Sequence, residues 1–259
     1  MATVRSLTSY PIKECAGVAE ERVAVTVTGL PGDRLFAVVA PDGETAWQGE
    51  TPRLATIRGR VLDDGAKLSL SAPGAGEFRL AVAVDGPVLP VDVDKWPGAG
   101  VDQGDEVADW LSGALGRPVR LVREPDRASR LRDSTALLII SLSSLDGLNE
   151  RIAARGAEPV PMTRFRPNIV VDGWPEPHTE DRVARMTIGG TEIGFGELAI
   201  RCAVTLVDQA AGVRAGPEPL RTLADYRREP DGVSFGLKAA VLTPGKIAVG
   251  DEVTVTEWR

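Results

Sequence analysis

Residues 22–43 read RVAVTVTGLPGDRLFAVVAPDG. Val23, Val25 and Val27 alternate with smaller or polar residues, so one face of an extended segment is apolar and the other is not. Leu30-Pro31-Gly32-Asp33 has the residues of a tight turn, and Leu35–Ala40 is a second strand closed by Pro41-Asp42-Gly43. The same rhythm continues on both sides. Residues 2–12 read as a strand with a proline stop. Leu54–Val61, Lys67–Ala72 and Glu77–Val84 are strands separated by Asp63-Asp64-Gly65 and Gly74-Ala75-Gly76. A strand and a turn every eight to twelve residues or so predicts a sandwich or barrel. The composition agrees: 28 Gly and 19 Pro in 259 residues disfavour a helical bundle, because both break helix interiors.

The pattern changes near Gly98. Gln103–Leu115 carries Val107, Trp110, Leu111 and Leu115 at helical spacing, with acids in its first turn. Ala136–Ile140 reads as a buried strand, and Ser144–Ala154 as a helix capped by Ser144. Strands are expected at Ile169–Val171, Val183–Ile188, Thr191–Phe195, Ala199–Val207, Ser234–Val241 and Ile247–Val255, with a short helix at Leu220–Arg227. The composition break over 95–103 divides the chain into parts at 1–98 and 99–259. The expected class is mainly β with a few short helices.

Two Cys and one His exclude a Cys-rich zinc finger, a self-contained four-thiolate cluster and a disulfide framework. A net charge of −7 argues against a nucleic-acid partner. Apolar runs such as Ala136–Ile140 are far short of the roughly 20 residues that span a membrane. The N-terminal stretch has no signal-peptide run, so a cytoplasmic protein is expected. No P-loop is present, because Gly245-Lys246 is followed by Ile247. Gly194-Phe195-Gly196 matches the start of a dinucleotide fingerprint, but the next residues read as a strand where a helix is needed. His178 lies in WPEPHTED and reads as a solvated loop residue.

What remains are positions suited to an anion. Lys13 and Arg34 each follow a strand or turn. Ser141, Ser143 and Ser144 lie where a strand enters a helix. Thr163–Asn168 carries two arginines and an amide, and Arg gives forked contacts to phosphate. Cys202 follows Arg201 inside a strand-like run. Taken singly, each cation reads better as solvated charge, and Cys202 as a small core residue.

Taken in order, these segments resemble the MOSC family, the molybdenum-cofactor sulfurase C-terminal domain, preceded by its N-terminal β-barrel domain. The resemblance rests on YPIKECAGV (10–18), GLPGDR (29–34), LLIISLSSLDGLNERI (137–152), MTRFRPNIVVDG (162–173), RCAVTLVDQAAG (201–212), PLRTLADYR (219–227) and GKIAVGDEV (245–253). Within the family the chain is most similar to the amidoxime-reducing components of mitochondria and their bacterial counterparts. The resemblance implies a barrel-like β domain, a MOSC β-barrel domain and a molybdenum-cofactor cleft between them. Cys202 matches the metal-ligating Cys, and Arg166 and Asn168 match the cofactor-gripping residues. Lys13, Arg34, Ser143 and Ser144 fall on phosphate- and pterin-holding positions, and Asp208 on an acid near the metal. The implied activity is reduction of N-hydroxylated small molecules, with a proton from Asp208 or water. With no flavin or nicotinamide motif, electrons would come from a ferredoxin- or flavin-reductase-like partner. Two alternatives are a sulfur carrier using a Cys202 persulfide and a cofactor-binding protein without turnover. The chain departs from the pattern at Glu14, where a Ser is usual, and at Leu35 and Leu206.

Overall fold

A computed structural model describes residues 1–93, 96–124 and 136–259. The strands of the first half are β1 (Thr3–Ser9), β2 (Val18–Glu20), β3 (Arg22–Val25), β4 (Phe36–Val39), β5 (Arg58–Leu62), β6 (Lys67–Ala72), β7 (Gly76–Ala81), β8 (Val88–Val93), β9 (Trp96–Asp102) and β10 (Arg120–Arg123). Those of the second are β11 (Leu137–Ser141), β12 (Ile169–Asp172), β13 (Val183–Ile188), β14 (Thr191–Arg201), β15 (Val207–Asp208), β16 (Val213–Arg214), β17 (Arg228–Glu229), β18 (Gly232–Thr243), β19 (Gly245–Ala248) and β20 (Val253–Trp258). Helices are α1 (Asp105–Leu115), α2 (Leu142–Ala154) and α3 (Leu220–Tyr226). None of the described helices is long and apolar enough to cross a membrane.

The apolar run of β11 has no polar alternation because both of its faces are covered. Ile139 packs with Leu7, Ile169, Val171 and Leu237 on one side, and Ile140 with Leu148, Ile152, Phe165 and Phe235 on the other. The large sheet runs β2-β1-β12-β11-β18-β14-β13-β20, with β17 beside β18. β11 and β12 pair in parallel, and the crossover that a parallel pair requires passes through α2. Leu145, Leu148 and Ile152 form the buried stripe of α2, each contributing roughly 1.5–3 kcal/mol by burial.

In the first half, β4-β10-β9-β8 and β5-β6-β7 are separate sheets. Val107, Leu111 and Leu115 of α1 pack into one core with Ile12, Phe36, Leu54, Leu68 and Leu121. The halves interleave: β1 joins the large sheet on β12, and β3 pairs with β19.

The mainly β class is as expected, and the sheets are not closed barrels. The flanks of the large one meet through backbone bonds such as Val4 N to Asp251 O (2.9 Å) and Val253 N to Ala2 O (2.8 Å). Several expectations are corrected. The Gly- and Pro-containing stretch at 95–103 holds β9. Gly100 there serves close packing, since a Cβ would lie 2.7 Å from the Val122 side chain. The helix cap is Ser141, whose Oγ accepts from Ser144 N at 3.2 Å. Residues 52–56 form a 3-10 turn before β5. Thr191–Arg201 is one strand, and Ala203–Leu206 turns as a 3-10 segment with Cys202 as its cap.

Candidate functional site

Pro11 follows β1, and the loop after it zips onto the segment preceding β4: Arg34 N donates to Tyr10 O (2.5 Å), Phe36 N to Pro11 O (3.0 Å) and Lys13 N to Phe36 O (2.7 Å). This places Lys13 and Arg34 in adjoining segments. The backbones of Glu14, Arg34 and Arg166 are left-handed, at φ 65, 53 and 56. For residues with a Cβ this costs on the order of 1 kcal/mol or more each, strain of the kind that gathers at binding sites.

Three guanidiniums converge here. Arg34 and Arg166 lie 4.8 and 4.4 Å from the centroid of the Tyr10 ring. Burial foremost, with the like charges of Arg34 and Arg166, brings Arg201 down to about 10, while neighbouring Cys202 acts in the opposite sense. Burial keeps the Tyr10 phenol above its usual range, so it remains a donor, to Pro167 O at 3.2 Å. Arg34 pairs with Asp33, whose other oxygen accepts Tyr10 N at 2.6 Å. Arg166 Nη1 donates to Gln209 Oε1 at 3.3 Å. Arg166 Nη2 and the Nε atoms of Arg164 and Arg201 are buried without a hydrogen-bond partner. A buried donor left unpaired costs about 1–3 kcal/mol, so this arrangement favours an anion.

Cys202 is exposed at the end of β14. Its carbonyl accepts Thr205 N (3.1 Å) and Thr205 Oγ1 (2.9 Å). Arg201 Nη2 donates to Phe165 O at 2.7 Å, and Arg164 Nη1 to Thr205 O at 3.2 Å. The two arginines thus strap the loop holding Arg166 to the loop holding Cys202, in opposite directions. Cys15 differs: it is fully buried, and burial pushes its thiol up to about 12. Among the described residues, no three His, Cys, Asp or Glu side chains converge as a metal cage. Any metal ligated by Cys202 must therefore bring most of its ligands with it.

The remaining expected residues are placed differently. Asn168 is 1% exposed. Its Oδ1 accepts Leu138 N (3.1 Å) and Arg34 Nη1 (3.4 Å), and its Nδ2 donates to Thr8 O (3.1 Å). It ties β1 to β11 and steadies Arg34 from beneath. Asp208 Oδ1 accepts Ala210 N and Ala211 N, both at 2.9 Å. The Ala211 bond foremost holds its pKa below the usual carboxylate value.

Ser143 and Ser144 hydrogen-bond to the Glu176–Glu180 segment, apart from the contacts of Asn168. Asn168 N bonds Leu138 O, whereas the serines follow Ser141, about 10 Å further along β11. Ser144 Oγ donates to Glu180 Oε2 (2.9 Å) and accepts His178 N (2.7 Å). Ser141 Oγ also donates to Glu180 Oε2 (2.8 Å), and Ser143 Oγ to Glu176 O (3.1 Å). The anion at this helix terminus is the chain's own buried Glu180. His178 is part-buried and not solvated as expected; its ring lies 5.7 Å from Tyr226 and 5.9 Å from Phe235. Burial foremost lowers it to about 4.

Sequence reasoning passed over Tyr10, Gln48 and Gln209, and noted Arg164 only as one of the two cations of Thr163–Asn168.

Residues 1–118 match the MOSC N-terminal beta barrel domain, and residues 126–254 the MOSC domain. Mitochondrial amidoxime-reducing component 1 of Homo sapiens is 32% identical over 98% of this chain and 82% of its own length. Mitochondrial amidoxime reducing component 2 of Bos taurus is 31% identical over 98% and 83%. The molybdenum cofactor sulfurase of Solanum lycopersicum is 30% identical over 90% of this chain, which spans 32% of that longer protein. With both domain models matched in order and relatives aligned along nearly its whole length, the chain belongs to the MOSC family and carries that family's N-terminal domain ahead of the MOSC domain.

Proposed function

We propose that the junction binds the pyranopterin molybdenum cofactor, with Cys202 as the protein's ligand to the metal, and that the chain uses it to reduce an N-hydroxylated small molecule. The observation that carries this reading is an exposed thiol beside buried guanidinium N–H groups that lack acceptors. A thiolate is a soft donor suited to a metal that already carries dithiolene sulfur. Forked cations suit a phosphate tail, and Arg34, Arg166 and Lys13 come from the segments that meet here.

Reduction of an amidoxime breaks its N–O bond with two electrons and two protons; an amidine remains and the oxygen leaves as water. When bound, the cofactor supplies the two-electron chemistry. The chain's residues do the rest. Arg34 and Arg166 hold the anion against Tyr10. Arg164 and Arg201 fix the turn that presents the thiol. The protons come from solvent, since Asp208 is held ionised. Electrons come from a separate ferredoxin- or flavoprotein-type donor.

The test is molybdenum and pterin content of the wild type and Cys202→Ala, with reduction of an aromatic amidoxime by an artificial donor. Near-stoichiometric molybdenum, lost in Cys202→Ala together with activity, is expected. Molybdenum unaffected by the substitution overturns the assignment of Cys202. A metal-free protein carrying a Cys202 persulfide overturns the reductase reading in favour of sulfur transfer.

A further inference from the structure

One contact at the junction belongs to neither motif. Gln48, from the first half, is 0% exposed. Its carboxamide pairs reciprocally with that of Gln209: Gln48 Nε2 donates to Gln209 Oε1 at 3.2 Å, and Gln209 Nε2 to Gln48 Oε1 at 2.7 Å. Each partner is anchored on its own side. Gln48 N donates to Glu14 Oε2 at 3.1 Å and Gln48 Nε2 to Glu14 O at 2.5 Å. Gln209 Nε2 donates to Val207 O at 3.2 Å. Every side-chain N–H of the pair is therefore used. The line ends at Arg166, whose Nη1 reaches Gln209 Oε1 at 3.3 Å while its Nη2 stays unpaired.

We propose that Gln48 and Gln209 are positioning residues: their amide pair latches the two halves at the junction and holds Arg166 by Nη1, so that Nη2 faces the ligand's anionic group. This rests on the reading that the junction takes an anion. The chemistry of the pair fits the task. A carboxylate at position 209 would neutralise Arg166 and compete with the ligand; an amide orients it without doing so. The same pair sets two neutral groups between Arg166 and the Glu14 carboxylate, which occupies a position where the family usually has Ser.

The test compares Gln48→Leu, Gln209→Leu, the double variant and Gln209→Glu in the cofactor-loaded protein. Molybdenum and pterin retained per folded chain after dialysis are measured. The rotation rate of the Arg166 guanidinium is followed by NMR in the stripped protein. Each leucine variant is expected to weaken retention about tenfold, and the double variant no more than either alone, because the pair acts as a unit. Gln209→Glu keeps an acceptor for Nη1, so it is expected to leave rotation slow yet still weaken retention. Faster rotation in Gln209→Leu is expected. Retention equal to wild type, strictly additive losses, or unfolding midpoints that drop while folded protein keeps its molybdenum would each overturn the proposal. If the wild type itself holds no molybdenum or pterin, the cofactor reading fails. The latch is then judged on guanidinium rotation and on the affinity of the same variants for inorganic phosphate, where unchanged values overturn it.

Discussion

Replacing Arg201 with methionine removes one of three neighbouring cations while keeping an unbranched, flexible side chain. The free-energy balance can be worked from its surroundings. The drop from 12.5 to about 10 corresponds to about 3 kcal/mol against the charged form in the folded protein. Opposing this is the Nη2 bond to Phe165 O at 2.7 Å, whose loss costs about 1–3 kcal/mol. Without ligand, Arg201→Met is therefore expected to be as stable as wild type, or more stable by up to about 2 kcal/mol. Anion binding should weaken at least about tenfold, or 1.4 kcal/mol. The pH dependence has a definite sign. A cation whose folded pKa is depressed stabilises the fold fully only above its unfolded value, and that contribution is lost as pH falls through about 10. Near neutral pH the wild type thus bears the whole penalty, which an anion relieves. Urea unfolding of the stripped protein, with calorimetric titration of inorganic phosphate, measures both sides. A loss above about 3 kcal/mol with unchanged phosphate affinity would show that Arg201 is only a strap between loops.

The two thiols should react differently: an alkylating reagent is expected to modify exposed Cys202 in the native protein and Cys15 only after unfolding, read by peptide mass spectrometry. Glu180→Ala strips the acceptor from Ser141 N, Ser141 Oγ and Ser144 Oγ. It should cost about 3–5 kcal/mol in urea unfolding and leave the Cys202 alkylation rate unchanged, because these hydrogen-bond partners of Glu180 lie outside the turn that presents Cys202. His178 is lowered from 6.5 to about 4, so its contribution is present above the higher value and lost as pH falls through the lower one. The backbone of His178 is left-handed at φ 61, which Asn tolerates, so the wild-type stability advantage over His178→Asn should shrink by about 2 kcal/mol across that interval; a pH-independent difference contradicts the assignment.

Much of the fold was legible from local pattern. β13 lies at Val183–Ile188 and β6 at Lys67–Ala72, as expected from their alternation, and α1 and α3 lie within a residue or two of their expected spans. β8, β9 and β10 were missed. The Gly and Pro residues in and around β9 read as breakers, and the reason for Gly100 is Val122, on a strand beyond α1. The serines after β11 were recognised as an anion-binding helix start. Their anion is Glu180, 36 residues beyond Ser144, and nothing local to either residue announces the pairing.

The sequence by itself determined the strand-rich class and the order of the Arg and Cys motifs, while the preference for Cys202 over Cys15 rested on the family resemblance of those motifs. Periodicity and residue chemistry are properties of short stretches, and they survive without knowledge of neighbours. Only the tertiary structure decided which cations lack counter-ions, which amides orient them and which hydroxyls are already occupied. Gln48 and Gln209 are 161 residues apart, and Tyr10 and Pro167 are 157. Desolvation and hydrogen bonding act over a few ångströms of space, so they come into being only when the folded chain brings such segments together.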